Sequence, residues 1–424
     1  MQNRIDDRLP KEVGAGALPA HPAAQTPWNK LISYHDAYHY ACRHHAVVGA
    51  LYQEVLRIMV PDYEKRVDLM CKTDVGVKNY VFNHMEVAPG FLYRDFHAAN
   101  HFLHPFFCGS DGNLGGFRAG AFGDSGDERL MMTGRVNDFG TYRVEKELDT
   151  CPWDIMGSEI CRVSTASLEE IGRAYGPDCE YNMVEARGCG DLHCRVVCEN
   201  RKKYPMPPRE HIWDNFGPIA TADQIKFTPR EEMYVEPQHM RGECSYTYRN
   251  GMCQEITSAE DYIGGAVDYP LGADYCINPI NQLVKAGAFT QEQVDNIVTC
   301  VFMGAGKAMF GEWFAIRGLR DWLGVPYDVD DGRVLGGYIE VLLQIIRCPY
   351  EIVAFNEEEV VYDIDRTYFN RKQAGGLTCA YNALWYGMAK TLISPEWFVW
   401  EETEDVDEGT YRVKIAKKID KFCR

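Results

Sequence analysis

The sequence predicts an α+β fold made of two tandem related copies, each with long helices packed on an antiparallel sheet. Three observations carry this. The chain has 424 residues, of which 46% are hydrophobic and 12% aromatic, enough for a large core and too many for one ordinary domain. A long helical stretch with a Val-Pro stop occurs early and has a counterpart late. Between and beyond these stops the chain repeats itself.

The elements follow in order. Residues 1–27 are polar with Gly, Ala and Pro, and read as an N-terminal arm without an apolar export core. From Trp28 to Met59 the apolar residues Leu31, Ala46, Val47, Ala50, Leu51, Val55, Leu56 and Met59 recur at helical spacing, and Pro61 ends the helix. Residues 134–155 (GRVNDFGTYRVEKELDTCPWDI) and 332–352 (GRVLGGYIEVLLQIIRCPYEI) align with one residue of gap. The paired anchors are Gly134 with Gly332, Arg135 with Arg333, Tyr142 with Tyr338, and Cys151-Pro152-Trp153 with Cys348-Pro349-Tyr350. Upstream, the Val60-Pro61 stop parallels Val325-Pro326. In the second copy Tyr338, Glu340, Leu342 and Gln344 alternate with Ile339, Val341, Leu343 and Ile345, the pattern of a strand with one face buried.

The division that results is 28–203 for the first repeat, 204–290 for a linking subdomain and 291–424 for a second, degenerate repeat. The first repeat carries an insertion over about 64–130, rich in His and then in Gly. The linking region opens on Tyr204-Pro205-Met206-Pro207-Pro208 and holds a hairpin signal, Tyr246 to Ile256, with Asn250-Gly251 as a type I′ turn. Met303-Gly304-Ala305-Gly306 lies mid-helix, where the glycines let helices approach closely.

Charge and composition exclude classes of function. The net charge is −18, which repels phosphate backbones, so nucleic acid is not an expected partner. No run of about 18 apolar residues is present, so no membrane span is expected. Sixteen cysteines without an export signal read as reduced thiols, metal ligands or core residues, and place the protein in the cytoplasm. The expected partner is a small-molecule substrate, and a homo-oligomer is allowed.

Three constellations carry chemistry. The first is Glu185-Ala-Arg-Gly-Cys189-Gly-Asp-Leu-His193-Cys194, at a turn between strands 181–186 and 193–199. Cysteines five apart across a Gly-Asp turn can offer two thiolates to one tetrahedral ion such as zinc, with Glu185 and Cys161 (or Cys179) as further ligands. The same cysteines read also as small buried hydrophobes of a β-turn, or as reactive thiols. The second is histidine at helical spacing: His35 and His39, then His97, His101 and His104 in the insertion. A row of imidazoles on one helix face can bind a divalent ion or serve as general base and acid; packing or surface polarity is the alternative. All twelve histidines lie at or before His239, so the second copy has none. The third is the Gly-rich run Gly112 to Gly126, a flap or a plain loop. It is not a phosphate-binding loop, and no nucleotide cofactor is expected.

The strand running into Cys151-Pro152-Trp153, the later Cys161 and the Gly190-Asp191-x-x-Cys194 turn resemble the L-2-amino-thiazoline-4-carboxylic acid hydrolase family. The turn is also similar to that of 4-vinyl-reductase-type domains, some of which bind zinc through Cys and Glu. The resemblance implies ring-opening hydrolysis of a small cyclic C–N compound, and raises Glu185, Cys189 and Cys194 as metal ligands. The expected function is therefore a hydrolase of a small cyclic or aromatic metabolite. Its general base would be His97 or His101, with His35 and His39 next, or it would use a metal-activated water. The rival is a non-catalytic binding or sensor module with a structural Cys/Glu metal site.

Overall fold

The computed structural model describes residues 34–84, 134–138, 143–148, 154–163, 179–200, 246–249, 252–255, 271–311, 319–346, 348–372 and 378–417. These residues form helices and antiparallel sheets, an α+β architecture. They divide into two compact units. Unit 1 takes in 42–50 and the described residues from Val60 to Pro279; unit 2 takes in 34–41, Leu51–Met59 and those from Ile280 onward. No helix among the described residues is long and apolar enough to cross a membrane.

Helix α1 (Tyr34–Met59) stops where Val60-Pro61 removes the next amide donor. Tyr52, Val55, Leu56 and Met59 are buried at the spacing of one helical face. Helix α2 (Tyr63–His84) starts two residues after Pro61. It opens the segment read as an insertion, so the first part of that segment is helix.

Unit 1 contains strands β1 (Gly134–Asp138), β2 (Arg143–Leu148), β3 (Cys179–Glu185) and β4 (Cys194–Asn200), all antiparallel in the order β1-β2-β4-β3. A 3₁₀ turn, Asp154–Met156, and a helical segment, 158–163, lie in sequence between β2 and β3. A separate hairpin pairs β5 (Tyr246–Arg249) with β6 (Met252–Glu255), its Arg249↔Met252 register placing only Asn250-Gly251 between the strands. This is the hairpin expected from the Asn-Gly signal.

Helix α3 (Leu271–Lys285) precedes α4 (Gln291–Ala305), whose start is fixed by a capping box between Thr290 and Gln293. A π-helical turn, Gly306–Gly311, follows α4, and a short helix α5 (Leu319–Leu323) comes next. Helix α6 (Arg333–Ile345) leads into β7 (Tyr350–Phe355) and β8 (Glu359–Asp365). Helices α7 (Arg366–Lys372) and α8 (Thr378–Leu392) precede β9 (Trp397–Glu402) and β10 (Thr410–Lys417). The four strands pair antiparallel in the order β7-β8-β10-β9. This is the strand order of the first sheet, with helix again between the second and third strands.

Close packing of α4 on α8 depends on two glycines. A Cβ on Gly306 would sit 2.1 Å from the Leu384 carbonyl oxygen, and one on Gly387 would sit 2.2 Å from that of Met303. This is the close approach expected of the Met303–Gly306 run; Gly304 itself faces open space.

Two expectations are corrected. Residues 338–345 are not a strand but most of α6, which is buried on every side from Val334 to Ile345. Apolar on all faces, it is a core helix, and strict alternation of Tyr338, Glu340, Leu342 and Gln344 against their neighbours mimicked a strand. The repeat anchors also fail to correspond. Gly134 opens strand β1 while Gly332 caps helix α6, and Cys151 follows β2 while Cys348 precedes β7. The likeness between the halves lies in strand order, not in those matched letters.

Candidate functional site

The chemistry-bearing residues of unit 1 meet where the β3–β4 connection approaches segment 158–163. The connection is a self-closed turn. Cys189 and Gly190 donate backbone N–H bonds to the carbonyls of Ala186 (2.9 Å) and Arg187 (2.9 Å), making the 3₁₀ turn Arg187–Cys189. Gly190 ends it at φ +99°, in the left-handed region that favours glycine. The Asp191 carboxylate accepts the Ala186 N–H at 2.8 Å, and Arg187 donates to the Leu192 carbonyl at 2.8 Å. The Cys194 thiol accepts the Arg187 N–H at 3.3 Å and is buried. The Gly-Asp-x-x-Cys pattern is thus the wiring of the turn itself: Gly for the left-handed residue, Asp and Cys for amides that the turn leaves unpaired.

Segment 158–163 supplies the opposing wall. Gly188 touches it so closely that a Cβ there would lie 2.6 Å from the Gly157 carbonyl oxygen and 2.7 Å from the Cys161 sulfur. Behind it stands a buried ion pair. Arg66 of α2 donates to Glu159 at 2.9 Å and to the carbonyls of Val60 (2.8 Å) and Pro61 (3.1 Å). Tyr63 shares a hydrogen bond with Ser158 at 2.9 Å, and the Arg162 guanidinium lies 5.0 Å from the Tyr63 ring centre. Cys189 faces solvent at the rim. Partial burial raises its thiol above the ordinary value, the Arg162 charge pulls the other way, and Asp191 and Glu159 add to the rise. Cys189 is therefore held as a thiol, not an activated thiolate. Leu192, 80% exposed, and His193 stand at the tip.

The four expected metal ligands do not form one donor set. Glu185 pairs across the sheet with Arg195, its register partner on β4, at 3.3 Å. Cys194 precedes Arg195 on that strand, so its side chain goes to the opposite face. Among the described residues no group of three or more His, Cys, Asp or Glu side chains is placed to hold a metal ion. Cys161, Cys189 and Cys194 all border the Arg187–Cys189 turn, while Glu185 does not join them.

The histidine expectations fall elsewhere. His35 and His39 lie one turn apart on α1, with side chains outside the described residues. His97, His101 and the Gly112–Gly126 run also lie outside them. Sequence reasoning missed Tyr63, Arg66, Glu159 and Arg162. The available signal was Glu159 and Arg162 three apart in a short helix, beside Cys161.

The equivalent corner of the second sheet differs. Residues 403–409, between β9 and β10, read Thr-Glu-Asp-Val-Asp-Glu-Gly, with no Cys, His, Lys or Arg. Unit 2 instead buries a carboxylate: Glu340 of α6 is 0% exposed and accepts from the Tyr350 hydroxyl at 3.1 Å, while Tyr362 donates to the Gly336 carbonyl at 2.9 Å. Comparison with protein-family models, with curated proteins and with solved structures found no match to this chain.

Proposed function

We propose that the protein is a hydrolase that opens a small cyclic or aromatic metabolite, with its working corner at the β3–β4 turn of unit 1. Unit 2 is on this reading a related copy that lacks the chemistry. One observation carries the proposal. Two sheets of the same strand order present different chemistry at the same topological corner: thiols, Arg162, Asp191 and His193 in one, a run of acids in the other. The likeness of the Gly190-Asp191-x-x-Cys194 turn to the aminothiazoline-carboxylate hydrolases supports the reaction class. Water adds across a ring C–N bond, a histidine base takes the water proton, and that proton goes to the departing nitrogen. His97 or His101 is the proposed base; His35 and His39, the next candidates from the sequence, belong to unit 2. Glu185 bonds Arg195 and does not join the three cysteines that border the turn, so no step here is routed through a metal.

A second reading has its own observation. Arg187, Asp191 and Cys194 bond within the turn, as a scaffold that binds a ligand without turning it over would require.

Incubation with 2-aminothiazoline-4-carboxylate and a panel of small lactams and cyclic ureas, followed by mass spectrometry, tests both. The hydrolase reading expects a product heavier by one water, with the rate falling by about 10²–10⁴ in whichever of His97→Ala and His101→Ala removes the base. Binding without product supports the second reading and sinks the first. Neither binding nor product overturns both.

A further inference from the structure

Two hydroxyls of unit 1 face each other beside the β3–β4 turn. Ser158 Oγ and Tyr63 Oη lie 2.9 Å apart, and either can donate to the other. The pair is part-buried, neither sealed in a core nor lying open on the surface. Ser158 opens segment 158–163 directly after Gly157, whose φ of +77° favours glycine. The Gly157 carbonyl sits against Gly188 of the turn, so packing fixes the backbone that carries the serine. Tyr63 is the first residue of α2.

Charged groups flank the pair from the same two elements. On α2, Arg66 places its guanidinium 5.6 Å from the Tyr63 ring centre. It is locked there by Glu159 and by the carbonyls of Val60 and Pro61. On segment 158–163, Arg162 places its guanidinium 5.0 Å from the same centre. Ser158 and Arg162 are four residues apart in that helical segment, so they share a face. A serine, a phenol and a guanidinium therefore meet at one part-buried spot. Nucleophilic catalysis has this general form: a hydroxyl within hydrogen-bond reach of a base, and the base oriented by a third group.

We propose that Ser158 is a nucleophile for acyl transfer from small activated esters, with Tyr63 as its base and Arg162 as the cation that meets the oxyanion. Ser158 Oγ bonds to the ester carbonyl carbon, and its proton passes to the Tyr63 phenolate. The bond from that carbon to the ester oxygen then breaks, and the departing alkoxide takes the proton from Tyr63. Water attacks the acyl-serine by the same route: Tyr63 takes its proton and returns it to Ser158 as the acid leaves. One guanidinium is modest stabilisation for an oxyanion, which suits an ester with a good leaving group over an amide. No histidine takes part, so this activity goes beyond the ring-opening reading and does not depend on it.

The test uses the full-length protein, p-nitrophenyl acetate as substrate and an alkyl fluorophosphonate as label; an activated serine attacks its phosphorus and releases fluoride. Peptide mapping of the labelled wild type places the adduct on Ser158, a result that stands even where a variant fails to fold. Ser158→Ala loses that adduct and the release of p-nitrophenol. Tyr63→Phe keeps the ring between the guanidiniums and labels more slowly by about 10²-fold or more. The wild-type rate rises between about pH 7 and 9, as a phenolate base requires, and Tyr63→Phe lacks the rise. The double variant His97→Ala/His101→Ala labels as the wild type does, which separates this reaction from ring opening. The proposal is overturned if wild-type Ser158 carries no adduct, or if Tyr63→Phe labels with the wild-type rate and pH profile. It is overturned equally if the histidine double variant does not label, since Tyr63 is then not the base.

Discussion

Replacing Gly188 by Ala probes how the β3–β4 turn seats on segment 158–163. The added methyl would stand 2.6 Å from the Gly157 carbonyl oxygen, 2.7 Å from the Cys161 sulfur and 3.0 Å from the Gly157 carbonyl carbon. The sulfur can rotate away, but the carbonyl belongs to backbone and cannot. Forced overpacking of this kind costs about 1–3 kcal/mol. Reduced freedom of the unfolded chain offsets about 0.4–1 kcal/mol of that. The net is a loss of roughly 1–2 kcal/mol, or about 2–8 °C in the transition of a unit this size. Gly190→Ala is the control. Its Cβ meets nothing within 4 Å, yet φ is +99°, so it costs about 1–2 kcal/mol through backbone strain alone. Calorimetry gives the Tm of each variant, and alkylation of Cys161 reports whether the turn has lifted. The expected pattern is a lowered Tm in both variants, with faster Cys161 alkylation in Gly188→Ala only. A Gly188→Ala protein as stable as the wild type, with Cys161 no more reactive, would refute the docked turn.

Other outcomes follow from the same geometry. Glu159→Gln or Arg66→Met alone breaks a pair whose side chains are 4% and 7% exposed and lowers unfolding free energy by about 3–5 kcal/mol, whereas the double variant Arg66→Met/Glu159→Leu recovers much of it; equal losses in single and double variants in urea melts would contradict this. Tyr350→Phe removes the hydroxyl that donates to buried Glu340 and costs about 1–3 kcal/mol, read as a shift in the urea midpoint without a change in slope. Stability falls in alkali: burial raises the thiols of Cys348 and Cys379, the latter to about 11, and the phenols of Tyr350, Tyr362, Tyr381 and Tyr411. The native state keeps protons that the unfolded chain gives up. The stabilisation is therefore complete below about pH 9 and is lost as pH climbs through 11; a urea midpoint unchanged from pH 8 to 11 would rule this out.

Local signals were legible and distant ones were not. Pro61 ends α1 by withholding an amide, and the Asn250-Gly251 signal falls between the paired ends of β5 and β6; both signals act within a few residues. The Gly190-Asp191-x-x-Cys194 turn was found for the same reason, although its Asp and Cys turn out to cap backbone amides. Helix α6 was misread because complete burial erases the periodicity that separates helix from strand; its length of thirteen residues, beyond most strands, was the better clue. The matched Gly-Arg-Val and Cys-Pro-aromatic letters aligned a strand with a helix, since short identities carry no topology. Arg66 and Glu159 are 93 residues apart, and nothing local in either segment announces the other. Glu185 was expected beside the thiols, but the β3–β4 register hands it to Arg195 on the other face.

The central claim is that the two like-ordered sheets differ in what their β3–β4 and β9–β10 corners do. The most direct measurement compares ligand binding and turnover after substitution at each corner, with Tm as the check on folding. Arg162→Met, Cys189→Ser and His193→Ala alter the first corner; Glu404→Gln, Asp405→Asn and Asp407→Asn alter the second. The account predicts a loss of at least about tenfold in binding or turnover, equivalent to one lost interaction of about 1.4 kcal/mol, from the first set at unchanged Tm, and no effect from the second. Loss from the second set with the first set silent would contradict it.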